Sequence, residues 1–201
     1  TLQTRVKFSM PLLNANATKL QGAVVLAGND VRMTPSTPLL EKVQGTVQFS
    51  ESEFGLSGVQ ARMLGGPVRI DGGLRPVAGA SNTDSTLQLR AQGRVTAEAL
   101  RSAKELSPLN EWAMQATGST GYSAQLGWRQ GKPEITLESS LEGLALNLPA
   151  PLGKSATSSA PLSVRSRVQS TGGALRDQLL IDWGPLASAH FVRDVSGADP
   201  V

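Results

Sequence analysis

The chain has 201 residues, with 19 Lys and Arg against 16 Asp and Glu, a formal net charge of +3 and no cysteine. The basic residues are scattered singly, Arg165 and Arg167 being the nearest to a cluster, so the dense cationic footprint of a nucleic-acid binder is excluded and no nucleic-acid partner is expected. Without cysteine there is no disulfide frame and no thiolate metal site, and no window approaches the roughly 18 consecutive apolar residues of a membrane-spanning helix. Apolar residues make up 39% and charged ones 17%, a composition that supports a buried core. The chain opens at Thr1 inside strand-like text, as expected of a piece cut from a longer protein whose signal or anchor lies elsewhere.

Thr4 to Ser9 alternates polar and apolar residues, Pro11 stops it, and Lys19 to Ala27 resumes as a second strand. Asn29-Asp30 reads as a hairpin turn, with Val31 to Met33 returning before a loop marked by Pro35 and Pro38. Val43 to Phe49 is the clearest alternation of the first half, followed by a polar turn at Ser50 to Glu53 and a strand over Leu56 to Met63. Gly65-Gly66-Pro67 is a break, Val68 to Asp71 alternates again, and Gly72-Gly73 punctuates it. Pro76 to Ser85, poor in large apolar residues, reads as a mobile loop before the strand Thr86 to Ala91.

The period then changes. Thr96 caps a predicted helix, Glu98 complements its positive first turn, Leu100, Ala103 and Leu106 recur at three-residue spacing, and Arg101 and Lys104 lie toward its negative end. Ser107-Pro108 ends this helix and starts a second short one through Ala113, with Trp112 and Met114 expected to pack inward. Beyond Gly118 the period of two returns, with Tyr122, Ala124, Leu126 and Trp128 on one face, a turn at Gln130-Gly131-Lys132, and then Ile135 and Leu137. Further strands are expected over Leu162 to Val168, Leu179 to Trp183 and Ala189 to Val192, making about eleven to thirteen in all.

The expected fold is therefore mainly β, an extended curved antiparallel sheet or sheets in meander order, with one short helical insert around residues 96–114. It is expected as a single β-rich piece, with strand blocks at 1–95 and 115–201 on either side of the insert. Val43 to Leu74 and Gly121 to Leu148 share one organisation, a loose repeat of strand, turn, strand, turn and strand.

The stretch Leu141 to Leu162 is the least ambiguous. Leu144, Leu146 and Leu148 alternate with Ala145 and Asn147 as a strand with one apolar face, Pro149 and Pro151 break it, and Ser155 to Ala160 forms an exposed loop. Gly153-Lys154-Ser155 has the end of a phosphate-binding loop but not its beginning, because Leu148 occupies the position of the required first glycine. His190 is the sole histidine and reads as structural; neither Gly-x-Ser-x-Gly nor Ser-x-x-Lys occurs, and Glu51 with Glu53 reads as a solvated turn. No catalytic, metal or cofactor site is expected. What remains is the apolar rows, read either as an ordinary sandwich core or as a groove left uncovered for a ligand, with Val47, Phe49, Leu126, Trp128, Leu144, Leu146 and Leu148 as the candidate lining.

The text LEGLALNLPAPLGKSA followed by a Pro-Leu strand, the segment VQGTVQFSESEFGLSGVQARMLGGPVRI, and GYSAQLGW before the leucine row together resemble the YhdP branch of the AsmA-like, TamB-related envelope proteins of Gram-negative bacteria, over roughly Val43 to Val168. The resemblance implies a long protein anchored in the inner membrane, a β-rich body in the periplasm, and passage of phospholipids toward the outer membrane, with acyl chains and other envelope proteins as partners. It implies no catalytic motif. The alternative class is a structural β spacer or interaction module of the cell envelope whose apolar faces are all internal.

Overall fold

A computed structural model describes residues 3–9, 19–32, 37–76, 85–107, 109–129, 132–171 and 174–194. Alternation of apolar and polar residues produces twelve strands: β1 (Gln3–Ser9), β2 (Lys19–Val31), β3 (Leu40–Ser50), β4 (Phe54–Met63), β5 (Gly66–Pro76), β6 (Ser85–Thr96), β7 (Ala116–Arg129), β8 (Lys132–Ser139), β9 (Leu144–Leu146), β10 (Leu162–Thr171), β11 (Ala174–Trp183) and β12 (Ala187–Asp194). Eleven form one open antiparallel sheet in meander order, β1 to β8 and then β10 to β12, and β9 pairs with β7 off that path. The insert between β6 and β7 holds α1 (Ala97–Ser102) and α2 (Leu109–Trp112). It does not interrupt the sheet, because β6 and β7 pair from Gln88 opposite Gly127 to Thr96 opposite Ser119.

Directly opposed residues of an antiparallel pair share a face, and the face alternates along each strand. Leu126 opposes Leu89 and Ile135, while Ala124 opposes Ala91 and Leu137; Leu137 opposes Val164, Val164 opposes Ile181, and Ile181 opposes Ala189. Phe49, Phe54, Leu74 and Leu87 continue the same face across β3 to β6. Arg90, Gln92 and Arg94 on β6, with Glu134, Thr136 and Glu138 on β8, lie on the other face. Among the described side chains the sheet thus has one mainly apolar face and one mainly polar face.

Three details of the backbone keep the apolar row in phase. The Asn29-Asp30 hairpin expected from the sequence is instead a bulged stretch of β2: Gly28 has φ +96°, the Ala27 N–H donates to Asn29 Oδ1, the Lys42 N–H donates to Asp30 Oδ1, and the pairing with β3 shifts there while the strand continues. A second bulge at Ser57-Gly58 keeps both Leu56 and Val59 on the apolar face, although three residues apart they would otherwise alternate. Gly72-Gly73, expected to punctuate the chain, lies inside β5; a Cβ there would stand 2.1 Å from the Gln88 carbonyl oxygen and 2.0 Å from that of Phe54, so these glycines admit the neighbouring strands.

The insert closes one end of the apolar face. The Thr96 hydroxyl accepts from the Ala99 N–H at 3.2 Å and Arg101 Nη1 donates to the Ala116 carbonyl at 2.9 Å, fixing α1 at both ends. The predicted single helix to Leu106 is broken at Ala103, whose ψ of 79° is not helical, and a 3₁₀ turn covers Lys104–Leu106. Leu100 packs on a cluster of Leu40, Val43, Val59, Val68, Val95 and Tyr122, whereas Leu109 of α2 packs on Val164, Leu179 and Ile181, so the insert reaches both halves of the sheet. Trp112 and Met114 do not pack inward; they are 41% and 62% exposed. The one-turn α2 has a single inward side, and Leu109 and Ala113, four residues apart, occupy it.

The proposed repeat also ends differently from its expectation. The third strand of the first copy, β5, adds beside β4, but β9 folds back onto the start of β7 and β10 takes the place beside β8. Gly118 (φ +94°) and Gly143 (φ +90°) make this return possible, the Ser119 N–H donating to the Gly143 carbonyl at 3.1 Å.

Candidate functional site

Along the apolar face, cover runs out with distance from the insert. Near it, Tyr122, Val95, Val68, Val164 and Ile181 are buried. Toward the opposite end, where β7 leads to β8, Trp128 is 42% and Ile135 43% exposed, and Leu89, Leu126, Leu74 and Leu87 are half-buried. Exposed apolar side chains at this density on one face make this end the candidate site.

The seven candidate residues fall into two places. Val47 lies on the apolar face opposite Val24 and Leu56. Phe49 does too, its ring lying over Gly22, where a Cβ would stand 2.3 Å from the ring edge. Leu126 and Trp128 share that face on β7. Leu144, Leu146 and Leu148 lie elsewhere: Leu144 is 4% exposed in a filled cluster with Ala97, Ala116, Leu141, Ala160 and Trp183, and Leu146 and Leu148 pack against it. The leucine strand is also shorter than its alternation, because after Leu146 the Asn147 N–H turns to the Gln115 carbonyl at 2.8 Å.

Lys154, of the Gly153-Lys154-Ser155 sequence, closes this same cluster. Its Nζ donates to the carbonyls of Leu141 (2.8 Å), Leu144 (2.6 Å) and Ser155 (2.9 Å), and burial holds its pKa below the usual lysine range. The ammonium is thus committed to the backbone of the loop. Tyr122 lies on the apolar face at this end, where burial pushes its phenol up to about 12, and its hydroxyl has no hydrogen-bond partner among the described residues. Glu51 and Glu53 are exposed, and His190 lies on the polar side of β12 opposite Leu180. Among the described residues no group of His, Asp and Glu comes together as a metal site.

One polar constellation interrupts the apolar face. Asp177 on β11 follows Ile181 and Leu179 in phase and is 4% exposed. Its Oδ1 accepts from the Ser166 hydroxyl at 2.7 Å, and its Oδ2 accepts from Arg193, the residue opposite it on β12. The sequence carries a signal for this, a charged residue in phase with the apolar row Leu175, Leu179 and Ile181, but it lies before Leu179, where the expected strand begins.

A family model described as YhdP protein matches residues 1–199. The chain belongs to the YhdP family. This agrees with the resemblance carried by the leucine row and the Leu-Gly-Gly-Pro segment, and it extends to strands on either side of them. YhdP proteins form a family of the cell envelope. No curated protein and no solved structure matches the chain. Among the described residues no helix is long and apolar enough to cross a membrane, which says nothing of a β-barrel.

Proposed function

We propose that the apolar face of this YhdP segment is a groove along which phospholipid acyl chains pass through the periplasm between the inner and outer membranes, the segment being held to the inner membrane by another part of the protein. The observation that carries the reading is the row of half-buried and exposed apolar residues, Leu87, Leu89, Leu126, Trp128 and Ile135, on one unbroken face across adjacent strands. Each methylene that leaves water on such a face gains about 0.8 kcal/mol. A chain sliding over many equivalent contacts meets no deep well, which suits passage rather than storage. The segment contributes shelter and direction, and no covalent step.

The test is photo-crosslinking in cells with benzoylphenylalanine at Leu126, on the apolar face, and at Gln125, the next residue and on the polar face. Phospholipid adducts at Leu126 and none at Gln125 are expected. Adducts at neither position, in a protein that still folds, would leave a structural spacer as the better description.

A further inference from the structure

We infer that Arg193, positioned by Asp177, is an anchoring site for the phosphodiester headgroup of a glycerophospholipid whose acyl chains lie on the adjoining apolar face. The inference rests on the groove reading and names the contact that orients its cargo.

Arg69–Asp71, Arg167–Glu134 and Asp177–Arg193 are ion pairs. Arg69–Asp71 and Arg167–Glu134 lie on the polar face, where such pairs are solvated and contribute little. Asp177–Arg193 lies on the apolar face. Among the side chains described on β4 to β12, these two are the only charges that the pairing register puts there. A carboxylate buried to this degree is costly unless it is paired, and a pair of apolar residues would fill the same space without that cost. Stability therefore does not explain the pair, and its geometry suggests what does.

The two partners are unequal: the Asp177 side chain is 6% exposed, the Arg193 side chain 44%. Asp177 is spent, one oxygen on Ser166 and one on Arg193. A guanidinium carries five donors, and two carboxylate oxygens, one already shared with a serine, absorb only part of that set. The remainder stands at the boundary between the apolar face and water. Exposed apolar residues flank it on the same face, Phe191 two residues before Arg193 and Leu175 two residues before Asp177, each roughly 7 Å along its strand. A cation in a fixed fork beside exposed apolar surface matches an amphiphile with a phosphate at its head, because the planar guanidinium binds phosphate oxygens in pairs.

The experiment is calorimetric titration of the 201-residue chain with three probes: dihexanoylphosphatidylglycerol below its micelle concentration, dihexanoylglycerol, which has the same tails without the phosphate, and sodium phosphate. Arg193→Gln is expected to weaken phosphatidylglycerol binding about tenfold and to leave dihexanoylglycerol binding unchanged. The double variant Asp177→Asn with Arg193→Gln, which leaves no unpaired buried charge, is expected to show the same selective loss and guards against unfolding of the outer strand. Equal losses for both amphiphiles, or no loss for either, would overturn the anchor and leave the groove standing. If the unaltered chain binds neither amphiphile, the groove reading falls and the anchor with it. Phosphate binding as tightly as the phospholipid, with the same dependence on Arg193, would overturn the lipid headgroup in favour of a free anion.

Discussion

The apolar face of the sheet runs into a filled cluster at one end and carries exposed side chains at the other. At the end beside the insert, Leu144 meets Ala97, Ala116, Leu141, Ala160 and Trp183, with Lys154 tying the loop carbonyls above it. At the other end Trp128 and Ile135 share the face with only their neighbours in the sheet among the described residues. The strands do not decide which outcome occurs. What decides it is the chain that leaves the sheet and returns over it, the insert between β6 and β7 and the segment 140–161 between β8 and β10. The exposed end of the face is a core from which the lid has been withheld.

The largest expected effect breaks that comparison directly. Leu144→Asp places a carboxylate with no partner in the filled cluster and is expected to cost about 3–5 kcal/mol of stability. Leu126→Asp puts the same charge on the half-covered face and is expected to cost about 1 kcal/mol, because water reaches the carboxylate, while removing bound phospholipid. Urea unfolding of the two variants, with lipid extraction of each, measures both quantities. Equal destabilisation would mean that the face at Leu126 is as closed as the cluster at Leu144.

The strands that carry this contrast were legible in the residues themselves, and the contrast was not. The period of two carries the strands and their meander order, and spacing alone puts Tyr122, Ala124, Leu126 and Trp128 on one face, as the pairing has them. The cap at Thr96 was equally local and equally readable. Long-range geometry was not. Gly72-Gly73 looks like punctuation until the Gln88 and Phe54 carbonyls are seen pressing on both glycines, and Asn29-Asp30 looks like a turn until the Lys42 N–H is found on Asp30. The leucine row shows its apolar side in sequence, but whether that side meets a lid or water depends on residues brought from α1, β7 and β11. Trp112 and Met114 are a further instance, since hydrophobicity alone argued inward and the single-turn geometry of α2 turned them out.

A second, smaller effect sharpens where the closed end stops. Tyr122 is the chain's one tyrosine, so ultraviolet titration of tyrosinate reports on this position alone. Burial disfavours the phenolate, and the folded protein is expected to titrate near 12 rather than near 10.0. The sign follows from linkage: between 10.0 and about 12 the unfolded chain gives up this proton before the folded one, so stability falls as pH rises through that window. Tyr122→Phe removes that pH dependence along with a hydroxyl that has no partner among the described residues, and it is expected to be neutral or slightly stabilising at neutral pH. A folded-state midpoint near 10.0 would put water at Tyr122 and move the open surface up to the insert.

The smallest effect concerns the boundary itself. The bulge at Ser57-Gly58 lies between Leu56, which is half-buried, and Val59, which is 3% exposed, and it is what lets one strand present both to the same face. Its Gly58 N–H donates to Asp71 Oδ1 at 2.5 Å from the polar side of the sheet, and that hydrogen bond, followed by the one from Arg69, holds the Asp71 carboxyl below the usual 3.8. A depressed carboxylate stabilises the fold in full above 3.8 and loses that contribution as pH falls through its lowered folded value. Asp71→Asn keeps an acceptor for Gly58 but not the charge, so it is expected to be slightly less stable than the natural chain at neutral pH, with the gap closing as the solution is acidified below 3.8. Urea midpoints of the two proteins across that range test this, and a gap that persists into acid would show that the bulge is held by packing of Leu56 and Val59 rather than by the ionised Asp71.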